Sequence, residues 1–428
     1  MTLRKPGRKI ALAALALALG VAVRAEAQGL LFWSTQAKPV EETQKMRSEV
    51  LGGFGKPVEY YGNDAGPFFT RIQAELKAGK GTIALLGGLH GELASLSADL
   101  IDLKDVLAAA GDARVNPTLL SLGTYGTAEQ KYVPWMQASY VMAANKEALK
   151  YLPEGADIQK LTYDELIAWG KAMREATGSP KIGLPAGPKG LLHRFLQGYL
   201  YPSYTGSVVT KFRSGEAEAM WNAFKTLWAE VNPASTNYGF MQEPLLTGEV
   251  WVAWEHTARL QDALNQKPDQ FVTFPAPAGP AGRGFMPVVA GIAIPRTSPN
   301  VEEAKALAAY MLKPETQIAT LRATSFFPVV EVALPDDMPA AVKMSGAAVA
   351  AQSAAPDALP SLLPIGLGSL DGKFNKVFLD TFQRIVLRGQ DVHAVLDDQA
   401  ATLRDIMAES KAPCWAPDKA SEGPCPVE

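Results

Sequence analysis

Three short apolar runs constrain the fold of this chain more than any other feature: 29–34 (GLLFWS), 57–61 (PVEYY) and 82–86 (TIALL). Each is strand-length, rich in β-branched or aromatic residues, and followed by polar or glycine-containing turns. A charged helical stretch at 41–50 separates the first two. Between the second and third, Phe68, Phe69, Ile72 and Leu76 recur at helical spacing, with Gly79 as the stop. Strand, helix, strand in that order predicts a parallel α/β sheet.

A second α/β region begins after Val133-Pro134-Trp135. Its helix, predicted over 163–176, has clear punctuation: Thr162 and Glu165 form a capping box, Leu161 staples onto Leu166, and Gly178 ends it. Further on, 271–275 (FVTFP) and 288–294 (VVAGIAI) read as strands, and Ser298-Pro299-Asn300 opens a helix running to Leu312. The last third reads as an Ala-rich helix near 340–355 and helices at 373–388 and 391–408. Val377, Phe378, Phe382, Ile385 and Val386 line one face of the first of these, and Gly389 ends it. Tyr199, Tyr201 and Tyr204, clustered in a Pro-containing segment, read as packing residues.

The chain of 428 residues exceeds one ordinary core and predicts two domains or lobes. Its first 27 residues read as a cleavable secretory signal: Arg4, Lys5, Arg8 and Lys9 precede an apolar run from Ile10 to Val23, and Ala25-Glu26-Ala27 has a small-x-small cleavage pattern. The run of about 14 residues is shorter than the roughly 20 that span a bilayer. No Cys lies near the cleavage point, so a lipid anchor is not expected. Cleavage would remove five basic residues and one acidic one from a chain whose net charge is −3. The acidic remainder would not attract nucleic acid by bulk charge, and none is expected as a partner. Export also suits the two cysteines, Cys414 and Cys425, which are expected to form a disulfide in a Pro-rich tail.

Catalytic and metal motifs are sparse. The four histidines, His90, His193, His256 and His393, fall in no HExxH or His-x-His arrangement, and there is no nucleophile elbow, P-loop or dinucleotide fingerprint. No cofactor or metal is expected. Paired carboxylates far apart in a chain leave an exported carbohydrate-active enzyme as the competing reading. Polar and aromatic residues do gather after the predicted strands, where open α/β sheets bind ligands: Trp33, Thr35, Gln36 and Lys38 after the first, Asn63 and Asp64 after the second, Gly88 and His90 after the third.

From Val133 the segments VPWMQASYVMAANKEAL, LTYDELIAWGKAM, LLTGEVWVAW, VVAGIAIPRTSPNVEEAKALAAYML, SFFPVV and FQRIVLRGQDVHAVLDDQAATLRDI succeed one another. In this order and spacing the chain resembles the carbohydrate-binding, maltose-binding-protein-like group of ABC-transporter solute-binding proteins, over nearly its whole mature length. Asn145-Lys146 and TYDEL are the most similar pieces; Ala143-Ala144 and Gly81-Thr82 depart from the usual pattern. The resemblance implies a two-lobe α/β fold with discontinuous lobes, 28–137 with 290–325 and 138–289 with 326–428, joined by crossovers near 137–139, 287–290 and 325–329. Ligand would lie in the cleft between the lobes and close them by a hinge motion. The implied partners are a carbohydrate and the permease subunits of an inner-membrane ABC importer; the implied state is a periplasmic monomer.

A sugar presents hydroxyls at its rim and C–H groups on its faces, so amide, charged and aromatic side chains suit it. Carried over by position, the cleft candidates are Trp33, Gln36, Asn63, Asp64 and His90 from the first lobe and Trp135 and Gln137 beside the first crossover. The second lobe offers His193, Arg194, Trp254, Glu255, His256 and Arg259, and the third crossover offers Phe326 or Phe327. Arg194 and Arg259 keep a second ligand class open, a phosphorylated polyol or acidic sugar, because guanidinium forks suit phosphate and carboxylate.

Overall fold

The computed structural model describes residues 29–37 and 40–428. The expected leader at 1–27 and Lys38 lie outside them. The first strands are β1 (Leu30–Ser34), β2 (Val58–Gly62), β3 (Ile83–Leu89) and β4 (Val133–Ala138). Next come β5 (Tyr140–Asn145), β6 (Ile182–Gly183), β7 (Val252–His256) and β8 (Phe271–Phe274). The last are β9 (Arg283–Phe285), β10 (Val288–Ala293) and β11 (Ala358–Pro360).

The first sheet has the order β2-β1-β3-β10-β4. β1 runs parallel to β2 and β3, as the strand–helix–strand pattern predicts, and β10 lies antiparallel between β3 and β4. The helix Ala65–Ala78 makes the crossover from β2 to β3, burying Phe68, Ile72 and Leu76 and ending at Gly79. β3 is longer than the sequence suggests. Gly87 and Gly88, which read as a turn, pair with Ile292 and Gly291 of β10. A Cβ on Gly87 would come within 2.6 Å of the Ser34 hydroxyl, so glycine here permits close packing inside a strand.

The second sheet, β6-β7-β5-β8, is mostly antiparallel. Its core is built on Trp169, Trp221, Trp254, Phe195, Tyr199 and Phe378. The helix Tyr163–Thr177 packs on it with the punctuation read from the sequence. The Glu165 amide donates to the Thr162 hydroxyl at 3.2 Å, the Glu165 carboxylate accepts from the Thr162 amide at 2.8 Å, and Gly178 adopts φ 75°. Tyr199 and Tyr201 are fully buried packing residues, as expected.

Three passages join the lobes side by side. Only Ser139 separates β4 of the first sheet from β5 of the second. Its hydroxyl donates to the Met286 carbonyl at 3.0 Å, tying the first passage to the second. Val288 and Val289 already pair with Ala138 and Gln137, so the first sheet claims two residues that the sequence reading assigned to the second lobe. In the third passage the Phe327 amide donates to the Gln137 carbonyl at 2.6 Å and the Gln137 amide donates back at 2.9 Å. This passage also ends later than 325–329. Val329 and Val330 pack in the first core, and the Glu331 amide donates to the Arg114 carbonyl at 2.9 Å. The following helix, Ala340–Ser353, packs against β8. Backbone pairing across the passage, which is not written in local hydropathy, decides both boundaries.

The C-terminal tail is closed on itself by a disulfide and pinned to the second lobe by Asp418. Cys414 and Cys425 form the expected disulfide. Asp418, nearly buried, accepts hydrogen bonds from the amides of Val208, Val209 and Thr210 at 2.8, 3.0 and 2.9 Å and from the hydroxyls of Ser207 and Thr210.

Candidate functional site

β1 and β3 end side by side at one edge of the first sheet, as parallel strands must, and the residues just beyond their ends form one wall of a cleft. Thr35 and Gln36 come directly after β1. The Thr35 hydroxyl donates to a Glu92 carboxylate oxygen at 2.6 Å, and the Gln36 side-chain amide donates to the Thr35 hydroxyl at 2.9 Å. Glu92 stands on the short helix His90–Ala94 after β3, where the same carboxylate oxygen accepts from the Leu89 amide at 2.8 Å. That helix comes close to the second lobe: a Cβ on Gly91 would lie 1.9 Å from the Pro364 carbonyl oxygen.

The second lobe supplies most of the facing wall from separate segments, and the third passage adds to it. Tyr140 opens β5 opposite His256, the last residue of β7. His193 and Arg194 lie on the short helix Leu192–Phe195, and Arg259 lies just after β7. Phe326 comes from the third passage. Together with Thr35, Gln36, Glu92, Leu89, Val288 and Leu363 these residues line a cavity of about 320 Å³ between the lobes. A smaller pocket adjoins it, sharing Glu92 and Arg194 and reaching Asp371. Inside the cleft the His256 ring lies 5.0 Å from Tyr140 and 5.6 Å from Phe326, forming a continuous aromatic strip.

The electrostatics of this wall are positive with neutral imidazoles. Burial, and then Arg259, lowers the His256 pKa to about 3; burial, Arg194 and Arg259 hold His193 well below 6.5. Both rings are therefore uncharged at neutral pH and can donate from one nitrogen and accept at the other. The His256 Nδ1 is committed, accepting from the Ala258 amide at 3.2 Å. Arg194 donates to the Gln197 side-chain oxygen at 3.0 Å. Arg259 donates from one nitrogen to the carbonyls of Gly239 and Lys189 at 3.2 and 3.4 Å and lies 4.4 Å from the Phe240 ring.

Six of the fourteen cleft candidates are thus brought together: Gln36, His193, Arg194, His256, Arg259 and Phe326. The others go elsewhere. Trp135 is fully buried in the first core against Phe32 and Tyr60. Trp33 is buried beneath Arg71, whose guanidinium lies 4.6 Å from its ring. His90 is enclosed between Tyr125 and Tyr132, with its Nδ1 2.9 Å from the Tyr132 hydroxyl, and burial lowers its pKa to about 4. Asn63 donates its side-chain amide to the Ser34 and Tyr61 carbonyls, and exposed Asp64 precedes the helix Ala65–Ala78; neither lines the cleft. Gln137 donates to the Pro328 carbonyl at 2.8 Å and belongs to the hinge. Trp254 is fully buried and stacks on Tyr140 with ring centroids 4.6 Å apart. Glu255, also fully buried, accepts from the amides of Met241 and His256 at 3.1 and 2.7 Å.

Sequence reasoning missed Tyr140, Glu92 and Leu363 as lining residues. Glu92 had a signal, since it lies two residues beyond a candidate turn. Tyr140 and Leu363 had none, because only the pairing of β5 with β7 and the return of the C-terminal segment bring them to the cleft. Among the described residues no cluster of His, Cys, Asp and Glu could hold a metal ion, and no helix is long and apolar enough to cross a membrane.

The fold matches solved structures over nearly their whole length and most of this chain. The sugar-binding protein MalE of Xanthomonas citri superposes with a TM-score of 0.70 at 13% identity, covering 89% of this chain and 98% of that one. The maltose-bound MalE3 of T. maritima gives 0.69 at 17% identity, covering 88% and 99%. UgpB of Mycobacterium tuberculosis, in complex with glycerophosphocholine, gives 0.66 at 19%, covering 89% and 99%. No curated protein sequence matches the chain significantly. Residues 41–318 match the sequence family described as bacterial extracellular solute-binding protein, whose members bind solutes rather than transform them. On that match, which spans well over half its length, the chain belongs to the bacterial extracellular solute-binding protein family.

Proposed function

We propose that this protein captures a carbohydrate between its lobes and presents the closed, loaded form to an ABC import permease from the periplasm. The observation that carries this reading is the cleft itself. It lies beside the three passages, takes its lining from both lobes, and combines hydroxyl, amide and imidazole groups with the Tyr140–His256–Phe326 strip. Hydroxyl rims and C–H faces of a sugar match those two kinds of surface. Because each wall belongs to a different lobe, a ligand touching both favours the closed arrangement by the difference in its affinity for the two states. In this reading Gln36, His193, Arg194, His256, Arg259 and Phe326 contact the solute.

The test is a thermal-shift and calorimetric screen of the mature chain, beginning near Gln28, against mono-, di- and oligosaccharides. A true ligand at a hundred times its Kd stabilises the folded state by about 2.7 kcal/mol and is recovered unchanged. Formation of a turnover product, or the absence of any stabilising sugar or sugar derivative, would defeat the proposal.

A further inference from the structure

We infer that the solute carries an anionic group, a phosphate ester or carboxylate on a sugar or polyol, held between Arg194 and Arg259 on the second-lobe wall. This inference rests on the capture reading and names the ligand class of the same cleft.

Three observations carry it. First, both guanidiniums line the cavity, and among the described residues neither forms an ion pair; Glu255, buried behind Arg259 and raised by that burial to a pKa of about 7, feels its charge without pairing with it. Arg194 spends one hydrogen bond on Gln197, and Arg259 engages two carbonyls from a single nitrogen. A guanidinium has five N–H donors, so most of the donor capacity of both remains for a ligand. Second, the two guanidiniums border one cavity and reach the same groups: burial first, and then both charges, hold His193 neutral, and both charges oppose the burial that raises the Tyr140 hydroxyl. Two cations on the wall of one partly enclosed cavity repel one another, and a bound anion relieves that repulsion. Third, the carboxylate on the opposite wall is oriented within its own lobe, where Glu92 accepts from the Thr35 hydroxyl and the Leu89 amide, and it forms no ion pair with either arginine among the described residues. Neutral His193 lies beside the two arginines as a further donor to an anionic oxygen.

A neutral sugar would leave the two charges partly desolvated by its own bulk and unmatched, which is unfavourable. An anion makes charge-assisted, bidentate contacts with the same groups.

The experiment is isothermal titration of the mature protein with matched probes at low and high salt. The pairs are glucose against glucose 6-phosphate, glucose against glucuronate, and glycerol against glycerol 3-phosphate, with orthophosphate alone as a further probe. At least one anionic probe should bind on the order of ten- to a hundred-fold more tightly than its neutral partner, and the gap should narrow with salt. The phosphate and carboxylate arms distinguish the two sources of charge. Arg194→Gln and Arg259→Gln should each remove most of the gap, and Arg194→Lys should keep part of it. Thermal unfolding of each variant checks that it is folded, and the comparison in the unaltered protein stands without them.

Neutral probes or maltose binding as tightly as the charged ones would overturn this inference while leaving the capture reading intact. A charge preference that survives in both glutamine variants would overturn the residue assignment. Failure of every probe and of the wider sugar screen would overturn the capture reading and this inference together.

Discussion

Glu255 offers a sharp check on where the structure places the polar cluster after β7. Its carboxyl is fully enclosed, and burial raises its pKa from 4.5 to about 7, against the opposing pull of Arg259 and of the His256 and Met241 amides. In the unfolded chain the same group releases its proton near 4.5. The folded state therefore binds the extra proton between these values. The stability this contributes is complete below pH 4.5 and is lost as pH rises through 7. At about 1.4 kcal/mol for each unit of separation, the loss amounts to about 3 kcal/mol.

Glu255→Gln resembles the protonated acid in shape, keeps an oxygen to accept from the two amides, and does not titrate. The unfolding free energy of the variant minus that of the parent should thus rise by about 3 kcal/mol between about pH 4.5 and pH 7.5. His90 and His256, lowered by burial to about 4 and about 3, act in the opposite sense. Below about pH 6.5 the unfolded chain protonates these rings first, so they favour folding at higher pH; present in both proteins, they cancel in the difference. Urea denaturation at a series of pH values supplies the measurement. A difference that does not change with pH would refute the buried, protonated placement of Glu255, and a large loss of ligand affinity in the variant would return it to the binding site.

Gly91→Ala should leave each lobe intact, because alanine favours the helix His90–Ala94, yet its Cβ would meet the Pro364 carbonyl at 1.9 Å. It should hold the cleft open and weaken whichever solute the screen identifies by roughly ten-fold or more, for an energy of about 1.4 kcal/mol set against closure; unchanged affinity in calorimetry argues that closure does not use this contact. Trp254→Ala should destabilise the fold by about 3–5 kcal/mol in denaturant titration, as expected for a large cavity in the second core; a stability within experimental error of the parent would contradict its buried stacking on Tyr140. Asp418→Ala strands the amides of Val208, Val209 and Thr210 and should cost about 2–4 kcal/mol, with earlier proteolysis of the tail. Reduction of the Cys414–Cys425 bond should lower stability by about 3 kcal/mol, and a variant lacking both cysteines should show no such response to reductant.

Local sequence determined the elements. The parallel start of the first sheet, the capped helix Tyr163–Thr177 and the tail disulfide all arise from patterns within a few residues: short apolar runs, a Thr–x–x–Glu cap, glycine stops and a pair of tail cysteines. Chain length pointed to two lobes, and the family resemblance added their discontinuous course and the neighbourhood of the passages. Sequence also named the loops from which the cleft is built, because strand ends in an open sheet lie at one edge.

Which side chains on those loops face the cleft was a matter for the tertiary structure. Trp254, Glu255 and His256 are consecutive and equally polar or aromatic to the eye. Successive residues of a strand point to opposite faces, so Trp254 enters the core against Tyr140 and Glu255 turns to Met241; His256, where the strand ends, borders the cavity. The same holds for Arg194 and Arg259, far apart in the chain and made neighbours only by the packing of the second lobe around β5 and β7. Local propensity acts over a turn of helix or a few residues of strand, whereas a binding site is a coincidence of segments brought together by long-range pairing.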